Sequence, residues 1–147
     1  MRVVRCALLL AAILSTACGD ELPTEPTNPT TNLTGVWRGN ISVNNVTTTM
    51  TWTLTQTGTS VTGPVVIALP AGVVLMNGTV AGTLSGTNLG FTVTVPPGGI
   101  VLQPGCSGQI AGANTVASST AMNGTYSVVS STCATGLSNG TFTLTRQ

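Results

Sequence analysis

Charged side chains are the scarcest feature of this sequence. Only 5% of its 147 residues are Asp, Glu, Lys or Arg, against about 25% in ordinary soluble domains. The chain has no histidine and no lysine, and its three acidic residues, Asp20, Glu21 and Glu25, all lie near the N-terminus. Without clustered Lys or Arg, and with a formal net charge of +1, nothing in the sequence indicates a nucleic-acid-binding surface, and we expect no nucleic-acid partner.

The same scarcity excludes most catalytic chemistry from residues 33–147, which contain no Asp, Glu, His or Lys. General acid–base catalysis needs a group that titrates near the working pH, and a serine nucleophile needs such a base beside it. Calcium and zinc sites need carboxylate, imidazole or thiolate ligands. We therefore expect no enzyme, no metal site and no cofactor in this part of the chain.

The N-terminus has the three parts of a secretory signal. Met1–Arg5 is basic, Cys6–Leu14 is apolar, and small residues follow up to Cys18. The apolar run is much shorter than the ~20 residues that a membrane-spanning helix needs. We therefore predict that residues 1–17 are a signal peptide that is removed on export.

The small residues that precede Cys18 resemble the lipobox of bacterial lipoproteins, with Ser15 where that family usually has a branched aliphatic residue. The resemblance implies that Cys18 is lipidated and becomes the mature N-terminus. It also implies a bacterial cell-envelope location, on the outer membrane or the cell surface, with membrane lipid as a partner through Cys18. The alternative is an ordinary signal peptide in which Cys18 has no role.

Residues 18–32 are predicted to be a tether. Pro23, Pro26 and Pro29 recur every third residue among Thr, Glu and Asn. A stretch of this composition cannot bury a core and favours an extended, polyproline-like chain. The three acidic residues are then solvated charges of the tether, not members of a site.

Residues 33–147 show the two-residue period of β-strands and no helical period. In Val46–Gln56 the odd-numbered threonines fall on one face, and Met50, Trp52 and Leu54 fall on the other. The expected strands lie at about 36–43, 46–56, 60–69, 73–85, 89–95, 106–116, 121–130 and 140–146. Short strands in series, each with one apolar face, indicate an all-β, closed up-and-down antiparallel barrel of about eight strands. A β-sandwich is the alternative.

The strand period places all five aromatic residues on the inward faces, together with many glycines. These aromatics are Trp37, Trp52, Phe91, Tyr126 and Phe142. Glycines opposite large rings either let a small barrel close without voids or leave a cavity. The sequence leaves both outcomes open.

Cys106 and Cys133 are the two cysteines of the predicted barrel domain. Export to an oxidising compartment favours a disulfide between them, with two free thiols as the alternative. Such a bond would close a loop of about 28 residues and stabilise the fold by ~3 kcal/mol in the loop-entropy estimate.

Gly35-Val36-Trp37 resembles the Gly-x-Trp signature that begins the first strand of lipocalins and related barrels. In that family an Arg or Lys near the end of the last strand packs across the tryptophan and closes the barrel's base. The resemblance assigns this role to Arg146, whose strand period places it with Phe142 and Leu144. The alternative is that Arg146 extends into solvent.

Two functions from different classes remain. The lipocalin resemblance implies a barrel that binds a small apolar ligand, with Met50, Trp52, Phe91, Met122 and Tyr126 as lining residues; the alternative is that these side chains only fill the core. The second function is a structural or adhesive surface module that contacts another envelope protein or the lipid layer. It is motivated by apolar loops at Leu69–Met76 and Pro96–Leu102. The sequence identifies no protein partner.

Overall fold

The structure of the chain, a computed structural model, describes residues 31–147 except 44–45 and 135–136. The side chains of residues 42, 43, 113, 114 and 116 are likewise not described. The predicted signal peptide, Cys18 and the tether up to residue 30 lie outside the described residues. Their predicted roles therefore stay predictions.

Eight antiparallel strands form a closed up-and-down barrel, in which each strand pairs with the next and the last pairs with the first. They are β1 (Gly35–Val43), β2 (Val46–Thr57), β3 (Ser60–Ala68), β4 (Val74–Ser85), β5 (Asn88–Val95), β6 (Gly108–Ala117), β7 (Ala121–Ser131) and β8 (Gly140–Arg146). The predicted strands are confirmed to within two residues at each end. Closure through the β1–β8 pair excludes the β-sandwich alternative.

The up-and-down order separates the connections into two ends. We call the end with the short turns 58–59, 86–87 and 118–120 the base end. The mouth end has the longer connections 69–73, 96–107 and 132–139. Odd-numbered strands therefore run from base to mouth, and even-numbered strands run from mouth to base. The position of a residue along its strand therefore shows which end of the barrel it is nearer to.

Several core side chains near the base end are more completely buried than those around the pocket at the mouth end. Trp37, Leu84 and Leu144, near the base, are each 0% exposed, whereas Ile67 and Ile110, near the mouth, are each 8% exposed. Thr48 also points inward, and its hydroxyl donates a hydrogen bond to the carbonyl oxygen of Ile41 at 3.2 Å. The core is thus fully shielded from solvent at the base end and slightly accessible at the mouth end.

Glycines on the inward faces have two different effects. A Cβ on Gly39 would lie 1.9 Å from the carbonyl oxygen of Thr143, and a Cβ on Gly63 would lie 1.9 Å from that of Thr53. At these positions only a missing side chain lets neighbouring strands approach so closely. A Cβ on Gly112 would instead lie 2.3 Å from the Phe91 ring. Glycine therefore both closes the barrel and makes room for its aromatic side chains.

Candidate functional site

An apolar pocket occupies the mouth end of the barrel and is partly open to solvent. The empty space between its side chains is about 520 Å³ when the part that opens to solvent is included. The centre of a water molecule can occupy about 50 Å³ of it. Holding one water molecule takes about 10–15 Å³ on this measure, so the interior has room for a few water-sized groups. The lining residues are Ile41, Met50, Trp52, Val65, Ile67, Met76, Phe91, Val93, Ile110, Tyr126, Leu137, Ser138 and Phe142.

Three aromatic rings contact one another at the inner end of this pocket. The Trp52 and Phe91 rings meet edge to face with centroids 4.9 Å apart, and the Phe142 centroid lies 5.5 Å from Trp52 and 5.7 Å from Phe91. Tyr126 extends the group, with its centroid 6.4 Å from that of Phe142. All three contacting rings come from the middle parts of β2, β5 and β8, so they form a layer between the filled base and the pocket.

The structure brings four of the five predicted lining residues together. Met50, Trp52, Phe91 and Tyr126 all line the pocket. Met122, the fifth, is not among the lining residues of this pocket. Met122 is the second residue of β7 and pairs with Leu144, so it is fully buried in the core of the base end. The strand period predicted that the Met122 side chain points inward. Whether it lies near the base or near the mouth depends on the direction of β7, which the period does not give.

Sequence reasoning missed most of the aliphatic wall. Ile41, Ile67 and Ile110 share the inward parity of the aromatic residues, so the strand period could have identified them as interior. The period does not tell which interior residues surround an open space. Leu137 and Ser138 lie in the connection between β7 and β8, where no period applies.

A disulfide between Cys106 and Cys133 joins two connections at the mouth, which confirms the predicted pairing. Their Cα atoms are 4.8 Å apart. Beside the bond, the amide of Thr132 donates to the carbonyl of Ser107 at 2.9 Å. The second joined connection carries Leu137, whose Cδ1 would lie 2.5 Å from a Cβ on Gly108. The disulfide therefore anchors the segment that brings Leu137 to the pocket.

The two tryptophans differ in how their indole nitrogens are satisfied. Trp37 Nε1 donates to the carbonyl oxygen of Leu33 at 2.8 Å. Trp52 Nε1 is buried and has no hydrogen-bond partner among the described residues. Leaving a buried donor without an acceptor costs about 1–3 kcal/mol. The Thr115 hydroxyl is also buried without a partner, but Thr115 does not line the pocket.

The residues predicted to close the barrel meet at the base end. Trp37 pairs with Arg146 across β1 and β8, and the guanidinium carbon lies 5.8 Å from the centroid of the Trp37 ring. The guanidinium also donates hydrogen bonds to the carbonyl oxygens of Asn32, Thr34 and Ser119. These contacts tie the segment before β1 and the β6–β7 turn to the last strand. The closure therefore lies on the base side of the pocket, and its Trp37 is the cross-strand partner of the pocket residue Trp52.

Tyr126 is a titratable group on the pocket wall. Burial in the pocket wall raises the pKa of the Tyr126 hydroxyl above 10.0, because desolvation disfavours the phenolate. The phenol is therefore protonated, and able to donate a hydrogen bond, throughout the neutral range. Within the described residues, no three His, Cys, Asp or Glu side chains lie together as a metal-binding group would require.

We expect the free energy of unfolding to be nearly constant between about pH 5 and about pH 9, because residues 33–147 lack Asp, Glu, His and Lys. The raised pKa of Tyr126 sets the alkaline limit. The stabilising contribution of Tyr126 is fully present below about pH 10, which is the pKa of this phenol in the unfolded chain. It is lost as the pH rises through the higher pKa that the phenol has in the folded protein. Urea unfolding at a series of pH values measures this profile.

The Tyr126→Phe variant is the control for the alkaline limit. It removes the phenol and should therefore remove the part of the decline above about pH 10 that belongs to Tyr126. A steep loss of stability between pH 7 and pH 5 in the parent chain would contradict the expectation.

A closed eight-stranded antiparallel barrel with an apolar pocket at one end defines the structural class of this protein. Comparison with protein-family models, with curated proteins and with solved structures found no significant match. In the part of the chain that the structure describes, no helix is both long enough and apolar enough to cross a bilayer.

Proposed function

We propose that this protein is a non-catalytic, lipid-anchored lipoprotein of a bacterial cell envelope, whose barrel binds a small apolar ligand at its mouth end. The observation that carries the binding function is the pocket lined by Trp52, Phe91, Phe142 and aliphatic side chains. Small-molecule sites are concave and mainly apolar, with a few polar groups that orient the ligand. The lipocalin-like arrangement of Trp37 and Arg146 at the base end is consistent with this assignment.

Methionine methyl groups provide a direct test of the pocket. Met50 and Met76 line it, whereas Met122 is fully buried at the base end and does not. Toluene is a suitable probe because it is small, neutral and entirely apolar. Titration with toluene should shift the methyl NMR signals of Met50 and Met76 saturably and leave that of Met122 almost unchanged. An absence of saturable shifts, or equal shifts of all three, would contradict binding in the pocket.

A filled pocket is the matched control for this titration. Ile110→Phe adds volume at a lining position, and overpacking of this kind typically costs 1–3 kcal/mol of stability. In the folded variant, toluene affinity should fall at least tenfold. Unchanged affinity would place the binding elsewhere on the protein.

The anchor has its own test. Cys18→Ser removes the thiol that lipidation requires, so the variant should be released from the membrane fraction of the producing cell. Release measured by fractionation, with loss of acyl-chain labelling, would support the proposed anchor. Retention in the membrane fraction would argue against an anchor at Cys18.

Exposed aliphatic side chains at the mouth favour a second function, contact with another envelope protein or with the lipid layer. Val73 is 55% exposed, Val101 is 52% exposed and Leu102 is 81% exposed. The amide of Val101 donates to the carbonyl of Leu75 at 3.1 Å, so the 96–107 connection lies beside the start of β4, which follows directly after Val73. Ile100, by contrast, is buried and bridges to Met76.

Leu102→Asp tests this second function, because it places a charge on the exposed connection without touching the buried Ile100. If the surface makes the contact, association with membranes or with other envelope proteins should weaken in a chain that also carries Cys18→Ser. Val129→Asp is the matched control, since Val129 is 62% exposed on β7. Equal effects of the two variants would contradict a specific role for the mouth connections.

A further inference from the structure

The indole nitrogen of Trp52 has no hydrogen-bond partner among the described residues, and this indicates which kind of ligand the pocket would bind. The inference rests on the binding function proposed above. Trp52 is 1% exposed, and its Nε1 has no acceptor among the described residues although the ring lines the pocket. An indole N–H can only donate. A molecule in the pocket that offers an acceptor would therefore satisfy a group that the barrel itself leaves unsatisfied.

The Trp37 indole shows that this fold can satisfy a buried indole when the backbone is suitably placed. Its Nε1 reaches the carbonyl oxygen of Leu33 at 2.8 Å. Trp37 and Trp52 are direct cross-strand partners in β1 and β2. The two residues are thus neighbours on adjacent strands, yet the tryptophan that lines the pocket is the one whose indole N–H has no acceptor among the described residues.

The charges of the described residues restrict the ligand further. These residues carry two charged side chains, and neither lines the pocket. Arg38 is exposed, and Arg146 lies over Trp37 at the base end. A buried carboxylate or ammonium would find no counter-ion in such a pocket and would be disfavoured by its lost hydration. The chemistry of the wall therefore selects a neutral molecule.

We propose that the pocket binds a neutral, mainly apolar molecule with a single hydrogen-bond acceptor, such as a ketone, ester or ether, and that this acceptor receives its hydrogen bond from Trp52 Nε1. The rings of Phe91 and Phe142 pack beside the apolar part of the molecule. Tyr126 and Ser138 also line the pocket, and their hydroxyl groups are donors that can serve a second acceptor where the ligand has one.

A matched pair of probes tests the proposal. Acetophenone and α-methylstyrene have nearly the same shape, but only the former has a carbonyl oxygen in place of a methylene group. The ratio of the Kd for α-methylstyrene to the Kd for acetophenone is measured in the parent chain and in Trp52→Phe, which lacks the indole N–H. The ratio should fall about tenfold in Trp52→Phe, because only the ketone loses a hydrogen bond.

Trp37→Phe is the control variant. It also removes an indole N–H, but that group already donates to Leu33, and Trp37 does not line the pocket. The ratio of the two Kd values should therefore be the same in Trp37→Phe as in the parent chain. An equal fall in both variants would overturn the assignment to Trp52.

The indole N–H signals of the parent chain provide a second measurement that needs no substitution. Acetophenone should move the Trp52 signal downfield by more than α-methylstyrene does and should leave the Trp37 signal in place. If both probes bind with equal effects on Trp52, and the Kd ratio survives Trp52→Phe, the acceptor proposal fails while the binding function stands. If neither probe binds, the binding function and the acceptor proposal both fail.

Discussion

Gly39→Ala is expected to lower the free energy of unfolding by about 3 kcal/mol, at the upper end of what overpacking costs. Gly39 lies on the inward face of β1, and its added Cβ would lie 1.9 Å from the Thr143 carbonyl oxygen of β8. The atom in the way is backbone, so no side-chain rotation can relieve the clash. The β1–β8 pair that closes the barrel would have to separate. Denaturant unfolding followed by tryptophan fluorescence measures the loss.

Gly90→Ala is the matched control for Gly39→Ala. Gly90 also lies in a strand, but a Cβ there would meet no atom within 4 Å. Its effect should stay within about 0.5 kcal/mol, because alanine restricts the unfolded chain without crowding the folded one. Gly63→Ala should behave like Gly39→Ala, since its Cβ would also lie 1.9 Å from a carbonyl oxygen. Equal effects of Gly39→Ala and Gly90→Ala would contradict the steric argument.

Loss of the disulfide should cost about 3–4 kcal/mol, the range that loop entropy predicts for a closed loop of this length. Cys106 and Cys133 are 27 positions apart, and the bond joins the two longest connections of the mouth end. The double variant Cys106→Ser with Cys133→Ser should therefore unfold at lower denaturant concentration. Because Leu137 lines the pocket within the second of these connections, toluene affinity should fall in the same variant.

Chemical reduction separates the disulfide from the serine substitutions. Dithiothreitol should destabilise the parent chain by about as much as the double variant is destabilised and should have no further effect on that variant. Cys106 is buried, at 5% exposure, so a Cys106→Ala variant shows how much of the loss comes from burying a serine hydroxyl. A parent chain whose stability does not change on complete reduction would contradict a stabilising role for the bond.

The strands and their faces were predictable from the sequence because a β-strand alternates its side chains at every residue. Threonine at every second position of β2 therefore identified Met50 and Trp52 as interior without any knowledge of their neighbours. The cysteine pairing was also predictable, since the domain has two cysteines and the predicted signal peptide implies an oxidising compartment. The strand faces follow from local backbone geometry, and the pairing follows from the number of cysteines. Both can be read from the sequence without the tertiary structure.

The position of a residue along the barrel was harder to predict. Met122 and Tyr126 share a strand and a face, yet one is in the base core and the other on the pocket wall. Their separation depends on the direction of β7 and on its register with β8, in which Met122 pairs with Leu144 and Tyr126 with Gly140. Register comes from hydrogen bonds between strands, and no single strand contains that information.

By itself, the sequence determined that residues 33–147 form an all-β domain with aromatic residues on its inner face and almost no ionisable groups. Local strand geometry and composition are sufficient for both conclusions. Only the tertiary structure decided that the base end is filled while the mouth end keeps an open pocket. It also decided that Trp37 finds a backbone acceptor and Trp52 does not. These properties depend on distances between strands far apart in the chain, which alternation along one strand cannot specify.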